Sequence, residues 1–294
     1  MEIFDSLVEY DVLMRRVTSM KVGGLATVFY TPSNERGLIA RAAAFYRAKA
    51  PFIIFGNGTN IIVRDHGYPG AVISTKQALQ GIEIRDNNSI VCGAGESLVR
   101  VCRFAAEHSL SGMEALSGIP GTVGGAVFMN AGAYGTEISD ILVSARVYSL
   151  ADKKEIMLTN KECEFSYRTS VFRSKPTVLL SVELSLKPDD KENIDSEMAD
   201  FLQKRNEKQP VDMPSVGSFF KRPAGQFAGK LIEEAGMKGE RVGGAQVSKK
   251  HSGFIVNLGN ATADDVLKLS EEVKTQVYNR FNITLEEEPI VIGV

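Results

Sequence analysis

Two glycine-rich stretches limit what this chain can fold into. The first follows Phe52-Ile53-Ile54-Phe55 with Gly56-Asn57-Gly58-Thr59-Asn60, after which an apolar run resumes at Ile61-Ile62-Val63. The second runs Ser117-Gly118-Ile119-Pro120-Gly121-Thr122-Val123-Gly124-Gly125-Ala126 and continues to Asn130-Ala131-Gly132-Ala133-Tyr134-Gly135. So much glycine is poor material for helix or sheet interiors, because each one costs backbone entropy on folding. It makes sense where backbone has to lie flat against a ligand. Glycine permits positive φ, so successive N–H groups can converge on an anion, and Thr59 and the asparagines add side-chain donors. Tight turns are the plainer reading of either stretch alone; two in one half of the chain point to a ligand.

Neither stretch is a common nucleotide fingerprint. Gly56-Asn57-Gly58 would open a Rossmann motif, but Ile61 stands where its third glycine belongs. The nearest Walker-type loop, Gly225-Gln226-Phe227-Ala228-Gly229-Lys230-Leu231, has the wrong spacing and a leucine where a hydroxyl must meet magnesium. Two separate backbone cradles suit a large ligand, and a dinucleotide such as FAD fits better than ATP.

A third feature is Gly217-Ser218-Phe219-Phe220-Lys221-Arg222-Pro223. It sets a hydroxyl between a flexible glycine and two aromatics, with two cations behind. Positive charge favours the alkoxide left after proton loss, and aromatic walls would exclude water. By itself the heptad reads equally well as a core Phe-Phe pair beside a solvated Lys-Arg edge.

At 294 residues the chain can bury a large core in two or three domains. A net charge of −2 argues against a general nucleic-acid binder. No apolar run approaches membrane-spanning length, and Met1-Glu2-Ile3-Phe4-Asp5 lacks a signal peptide's basic segment, so a cytoplasmic protein is expected. Cys92, Cys102 and Cys163 are odd in number and without paired spacing, which reads as buried, reduced thiols. His66, His108 and His251 are scattered as well. No metal site and no Ser-His-Asp triad is expected, and redox chemistry would have to come from an organic cofactor.

Along the chain, the sequence predicts a helix starting at Thr31-Pro32, strands at Phe52–Phe55, Ile61–Val63, Ala71–Ile73 and Ser89–Cys92, and a helix from about Glu96 to His108. A hairpin should join Ile141–Leu150 to Glu155–Leu158, with a Thr159/Glu162 capping box after it and a strand at Val178–Leu186. The charged stretch Lys187–Asn193 is the best domain boundary, a surface loop being the alternative. A polar helix ends near Gln209-Pro210. Ala228–Ala235 should be helical, and Gly243–Val247 and Phe254–Asn257 strands. Thr262 should cap a long helix whose stripe of Val266, Leu269, Val273, Val277 and Phe281 is core, followed by strand-like Ile283–Leu285 and Ile290–Ile292.

Taken in order, these motifs resemble those of the UDP-N-acetylenolpyruvoylglucosamine reductases, flavoenzymes of peptidoglycan precursor synthesis. The resemblance covers essentially the whole chain. It rests on Gly56–Asn60, Gly118–Ala126, Asn130–Gly135, Ser166-Tyr167-Arg168, Gly217–Lys221 and Leu285-Glu286-Glu287-Glu288. It implies an α+β protein with the FAD-binding fold of the vanillyl-alcohol-oxidase type, made of two α/β FAD-binding subdomains plus a smaller α/β substrate-binding domain. The corresponding segments are 1–75, 76–190 and 191–294, with the last strand, about 284–294, returning to the FAD domain.

The activity implied is NADPH-dependent reduction of the enolpyruvyl ether of UDP-N-acetylglucosamine to UDP-N-acetylmuramate. FAD takes hydride from NADPH and passes it from N5 to the terminal vinyl carbon, leaving an enolate-like centre that needs a cation and a proton. By resemblance, Ser218 gives the proton, with Lys221 helping to stabilise its alkoxide. Arg168 grips the carboxylate and the developing enolate with a fork suited to that shape. Glu288, in protonated form, binds the enolic oxygen, and Glu286 is the runner-up. Phe55, Gly56, Asn57, Gly58, Thr59, Asn60, Ile119, Pro120, Gly121, Thr122, Gly124, Gly125, Ala126, Asn130, Ala131 and Gly132 are expected to hold FAD. Arg222, where many members carry asparagine, is expected to meet a diphosphate of UDP or FAD. Ser218 follows Arg168 by 50 positions, which resembles the shorter subtype without a tyrosine-bearing loop. Another element must then cover UDP, with Lys221, Lys230, Gln246, Lys249 and His251 as candidates. The partners expected are the small-molecule substrate and NADPH, with no nucleic acid, no membrane insertion and a monomeric state. Two rivals are an FAD-linked oxidase or dehydrogenase of a small hydroxylated compound, which would consume oxygen without NADPH, and a non-catalytic flavin- or nucleotide-binding module, which would not require Arg168 or Ser218.

Overall fold

The computed structural model describes residues 6–294, so Met1–Asp5, where the sequence shows no basic leader segment, lies outside the described residues. The chain groups into two units, one of residues 6–10, 28–57 and 70–204, the other of 11–27, 58–69 and 205–294. Lys187–Asn193 is not a linker: Lys187–Pro188 pairs antiparallel with Leu110–Ser111, Asp189 N–H donates to Ser109 O at 3.0 Å, and a helix starts at Lys191.

A four-stranded sheet, most of whose residues belong to the first unit, has the order β1 (Ser6–Leu13), β2 (Leu25–Pro32), β5 (Tyr68–Ser74), β3 (Phe52–Phe55). β3 and β5 run parallel, with Phe55 opposite Ser74, so β3 ends at the first glycine loop. Helix α1 (Glu35–Arg47) does not start at Pro32, which closes β2. Asn34 caps it instead, its side chain accepting from Gly37 N–H at 2.9 Å, because an amide oxygen at the cap satisfies a donor that proline leaves unmet.

A five-stranded antiparallel sheet follows in the order β12 (Lys154–Thr159), β11 (Leu142–Ser149), β13 (Thr177–Ser185), β7 (Ser89–Gly93), β6 (Ile82–Arg85). Helix α2 (Leu98–Glu107) buries Leu98, Val101, Cys102 and Ala105 in the same core as Val147 and Val182. All three cysteines are buried and free, and burial is the first cause that pushes their thiols up, so they stay protonated. The Thr159/Glu162 pair forms its reciprocal bonds, but the turn it starts is a single 3₁₀ turn. Short pairings complete the unit: β8 (Leu110–Ser111) with β14 (Lys187–Pro188), and β9 (Gly132–Ala133) with β10 (Thr136–Glu137). Helices α3 (Val123–Phe128), α4 (Ile138–Ile141) and α5 (Lys191–Lys208) lie in this part of the sequence.

In the second unit, β15 (Arg241–Val242), β16 (Ala245–Val247) and β17 (Ile255–Asn257) form an antiparallel sheet. β18 (Ile290–Ile292) pairs parallel with β4 (Ile61–Val63), so the chain's end adjoins the strand after the first glycine loop. Helix α6 (Ala228–Glu234) and helix α7 (Ala263–Phe281) pack on one core, in which Val266, Leu269, Val273 and Val277 are completely buried. Thr262 caps α7 as expected, accepting from Asp265 N–H at 3.0 Å, and Asp265 bonds back to Thr262 N–H at 3.0 Å. Ile283–Leu285 is not a strand. The chain leaves α7 through Asn282 at φ 56 and reaches its first cross-strand partner only at Glu287, opposite Phe220. Among the described residues no helix is long and apolar enough to cross a membrane. Leu269→Ala should lower the unfolding free energy by about 2–5 kcal/mol, the usual result of emptying a fully packed leucine site, as read by denaturant titration.

Candidate active site

The loop after β3 turns through Gly58 at φ 63, a backbone conformation that side chains other than glycine rarely adopt. Among the described residues, the N–H groups of Gly56, Asn57, Gly58, Thr59 and Asn60 donate to no acceptor in the chain. In the first unit this loop meets the second glycine stretch. A Cβ on Gly56 would run into the Thr122 hydroxyl, far inside van der Waals contact. Thr122 caps α3, accepting from Gly125 N–H at 3.2 Å, and Gly124 lies so close to Ala94 that an added Cβ would sit 2.9 Å from its carbonyl oxygen. Leu98 N–H donates to Gly121 O and Val123 N–H to Glu96 O, each anchoring the stretch from outside, while the N–H groups of Gly118 and Gly121 have no acceptor among the described residues. Open donors on glycine backbone, where side chains are excluded, are what a dinucleotide's diphosphate requires, so these residues fit FAD.

Asn130, Ala131 and Gly132, expected at the cofactor, also bond within the first unit. Asn130 is buried, and both its amide protons are used inside the unit, on Glu137 Oε2 at 2.9 Å and Ser166 O at 3.2 Å. Its amide oxygen accepts from Ser139 N–H at 2.9 Å. Ala131 N–H donates to Ala126 O at 2.8 Å. Arg168 stands in a two-residue turn closed by reciprocal Ser166–Thr169 bonds and takes φ 55, uncommon for a residue with a Cβ. One guanidinium nitrogen donates to Asn130 O at 3.2 Å and to Glu137 Oε1 at 3.3 Å, and the other to Gly132 O at 2.9 Å. Its carbon lies 4.8 Å from the centre of the Tyr167 ring. Glu137 is not marked by the sequence, since an acid in a glycine-rich turn reads as solvated; its only signal is its place directly after the Asn130–Gly135 motif.

In the second unit the heptad is an extended segment held on both sides. Phe219 N–H donates to Gly253 O at 2.8 Å, Glu288 N–H donates to Phe219 O at 2.9 Å, and Lys221 N–H donates to Glu286 O at 2.8 Å. Ser218 is exposed, whereas Phe219 and Phe220 are buried in the core with Leu231 and Val273. The aromatics therefore anchor the segment instead of walling the serine, because this core takes both rings. Lys221 Nζ lies 3.0 Å from Glu286, and the Arg222 guanidinium lies 4.7 Å from the Phe227 ring centre. Glu287 accepts from Ser270 at 2.5 Å and lies 3.2 Å from Lys274. Glu288 uses its carbonyl to accept from Asn60 Nδ2 at 3.3 Å.

Of the candidates for covering UDP, Gln246 is buried and donates to Gly239 O at 3.0 Å, so its amide holds the β15–β16 corner. Lys230 lies exposed 3.7 Å from Glu234 on the same helix, and Lys249 is exposed. His251 Nδ1 accepts from Gly253 N–H at 3.1 Å, and burial, the leading cause, lowers its pKa, so the neutral ring is favoured beside the segment that carries Ser218. Among the described residues no group of three or more His, Cys, Asp or Glu could hold a metal ion.

Residues 26–156 match the model of an FAD binding domain, and residues 209–292 match that of the UDP-N-acetylenolpyruvoylglucosamine reductase C-terminal domain. The UDP-N-acetylenolpyruvoylglucosamine reductase of Caldanaerobacter subterraneus subsp. tengcongensis is 44% identical over 280 residues, covering 95% of this chain and 92% of that one. The chain belongs to the UDP-N-acetylenolpyruvoylglucosamine reductase family. The Agathobacter rectalis member is 45% identical over 296 residues, covering 96% and 93% of the two chains. The crystal structure of the Thermus caldophilus member superposes with a TM-score of 0.82 at 38% identity, covering 98% of this chain and all of that one. A cholesterol oxidase of Brevibacterium sterolicum, 16% identical over 63% of this chain and 38% of its own, has a TM-score of 0.50 and shares the fold alone. The α+β architecture is thus the FAD-binding type also found in such oxidases, and both glycine stretches fall within the FAD-binding domain of this family member. Gly56→Ala should cost the protein its bound flavin, through the clash with Thr122, as read from the ratio of flavin to protein absorbance after purification against the unsubstituted protein.

Proposed function

We propose that the protein reduces the enolpyruvyl ether of UDP-N-acetylglucosamine to UDP-N-acetylmuramate, drawing electrons from NADPH. When bound, FAD supplies the hydride chemistry between NADPH and the vinyl carbon. The chain's own residues bind, orient and protonate. Arg168 grips the substrate carboxylate, where its permanent charge stabilises the electron density that builds up next to it. Ser218, exposed on a segment that both neighbours pin, gives its hydroxyl proton to the carbon bearing that carboxylate. Glu288 binds the enolic oxygen.

One observation carries this reading: the main chain of Glu288 donates to Phe219 O, so the serine segment and this glutamate run side by side. Glu286 pairs with Lys221 and Glu287 with Ser270 and Lys274; Glu288 is chosen over Glu286 for its place two residues beyond the glutamate that follows Leu285. The exposed hydroxyl also speaks against an alcohol oxidase, which needs a base at that point. The reading has the protein acting as a monomer in the cytoplasm, where nucleotide-linked precursors and NADPH are found, in the subtype without the tyrosine-bearing loop. Arg222 then lies toward a diphosphate, with Lys221, Lys230 and His251 as the cationic and polar groups around the nucleotide.

The test separates the half-reactions. Under anaerobic conditions NADPH should bleach the flavin, and UDP-N-acetylglucosamine enolpyruvate should restore its colour. In Ser218→Ala, bleaching should proceed near the native rate, while recovery should slow by about two to four orders of magnitude, the usual weight of a positioned acid. Equal slowing of both steps would make Ser218 structural, and steady oxygen uptake with an alcohol in place of NADPH would favour the oxidase.

A further inference from the structure

Around Arg168 the first unit builds more than a turn. Asn130, Tyr134 and Arg168 all take positive φ, at 43, 50 and 55, within one small neighbourhood. Such conformations are unfavourable for residues with a Cβ and persist only where the surroundings over-determine them. The centre of these surroundings is the Glu137 carboxylate. One of its oxygens accepts from Asn130 Nδ2 at 2.9 Å and the other from Arg168 at 3.3 Å. β9 and β10 put Glu137 directly opposite Gly132, whose carbonyl takes the second guanidinium nitrogen. A Cβ at Gly132 would fall 2.7 Å from Glu137 Cγ, so glycine is required there to let the glutamate lie across. Arg173 closes the back by donating to Arg168 O at 3.2 Å.

We propose that Glu137, backed by Asn130 and admitted by Gly132, is the positioning residue for Arg168. The proposal rests on the reading of Arg168 as the carboxylate grip. A carboxylate beside an arginine that has to bind an anion weakens the attraction for that anion. Its retention is explained by orientation: a free arginine side chain samples many rotamers, and a fork fixed in advance has no such freedom to lose when substrate arrives. Misplacement of a positioning group by about 1 Å can cost on the order of a hundredfold in rate. Glu137 also accepts from a buried amide, and glutamine cannot replace it there. A glutamine in its place would present one acceptor and one donor to two donors, so either the Asn130 or the Arg168 bond must break.

The experiment is a double-mutant cycle on the FAD-bound protein, reading reoxidation of reduced flavin by UDP-N-acetylglucosamine enolpyruvate in single turnover. Glu137→Gln should slow reoxidation about 10- to 100-fold in the native background and less than about twofold in Arg168→Ala, because its effect passes through Arg168. Flavin content and the rate of bleaching by NADPH should stay native in Glu137→Gln, although the melting temperature should fall by about a few degrees for the bond that breaks. Equal slowing in both backgrounds, native-speed reoxidation, or loss of flavin would each make Glu137 a merely structural ion pair and overturn the proposal. Reoxidation at native speed in Arg168→Ala alone would sink the reading of Arg168 itself, and the proposal with it.

Discussion

Backbone here has to come closer to backbone than any side chain would allow, and the cofactor region is arranged around that requirement. Gly56 lies against the Thr122 hydroxyl, Gly124 against the Ala94 carbonyl and Gly132 against Glu137. Each approach removes a side chain from a surface and leaves peptide groups to form it. Where those peptides are N–H donors without a partner among the described residues, as at Gly56–Asn60, an anionic ligand gains contacts for which no side chain has to be ordered.

The same economy of side chains shapes the reacting groups. Arg168 is aimed by main-chain oxygens of Asn130 and Gly132 together with one carboxylate, and its own backbone is held by a two-residue turn. Ser218 is aimed differently. Its neighbours Phe219 and Phe220 are driven into the core by the hydrophobic effect, and main-chain bonds to Gly253, Glu286 and Glu288 fix the segment between them.

Much of the fold could be read from local pattern. The stripe Val266, Leu269, Val273 and Val277 has a helical period and Thr262 is a strong cap, so α7 was evident from those residues alone. The hairpin β11–β12 followed from alternation on either side of a charged turn. Pro32 misled, because proline suits a first helical turn and the end of an edge strand equally well, and Asn34 was the better cap. Lys187–Asn193 misled because charge and proline mark exposure, and a two-residue strand is exposed as well. Ile283–Leu285 has strand composition but no partner edge, and composition cannot supply one.

The order of motifs was enough to determine the family, because glycines in that spacing, with Arg168, Ser218 and three terminal glutamates, leave few alternatives. What tertiary structure decided is which polar groups are spoken for. Asn130 is a buried strut, Gln246 braces a corner, and Lys221 pairs with Glu286. Glu137, silent in the sequence, became the acid that holds Arg168. The reason is that a hydrogen bond depends on a partner's distance and direction, and those are set by residues far away in the chain. The stretch from Asn130 to Lys249 contains many donors and acceptors, and only folding selects the pairs.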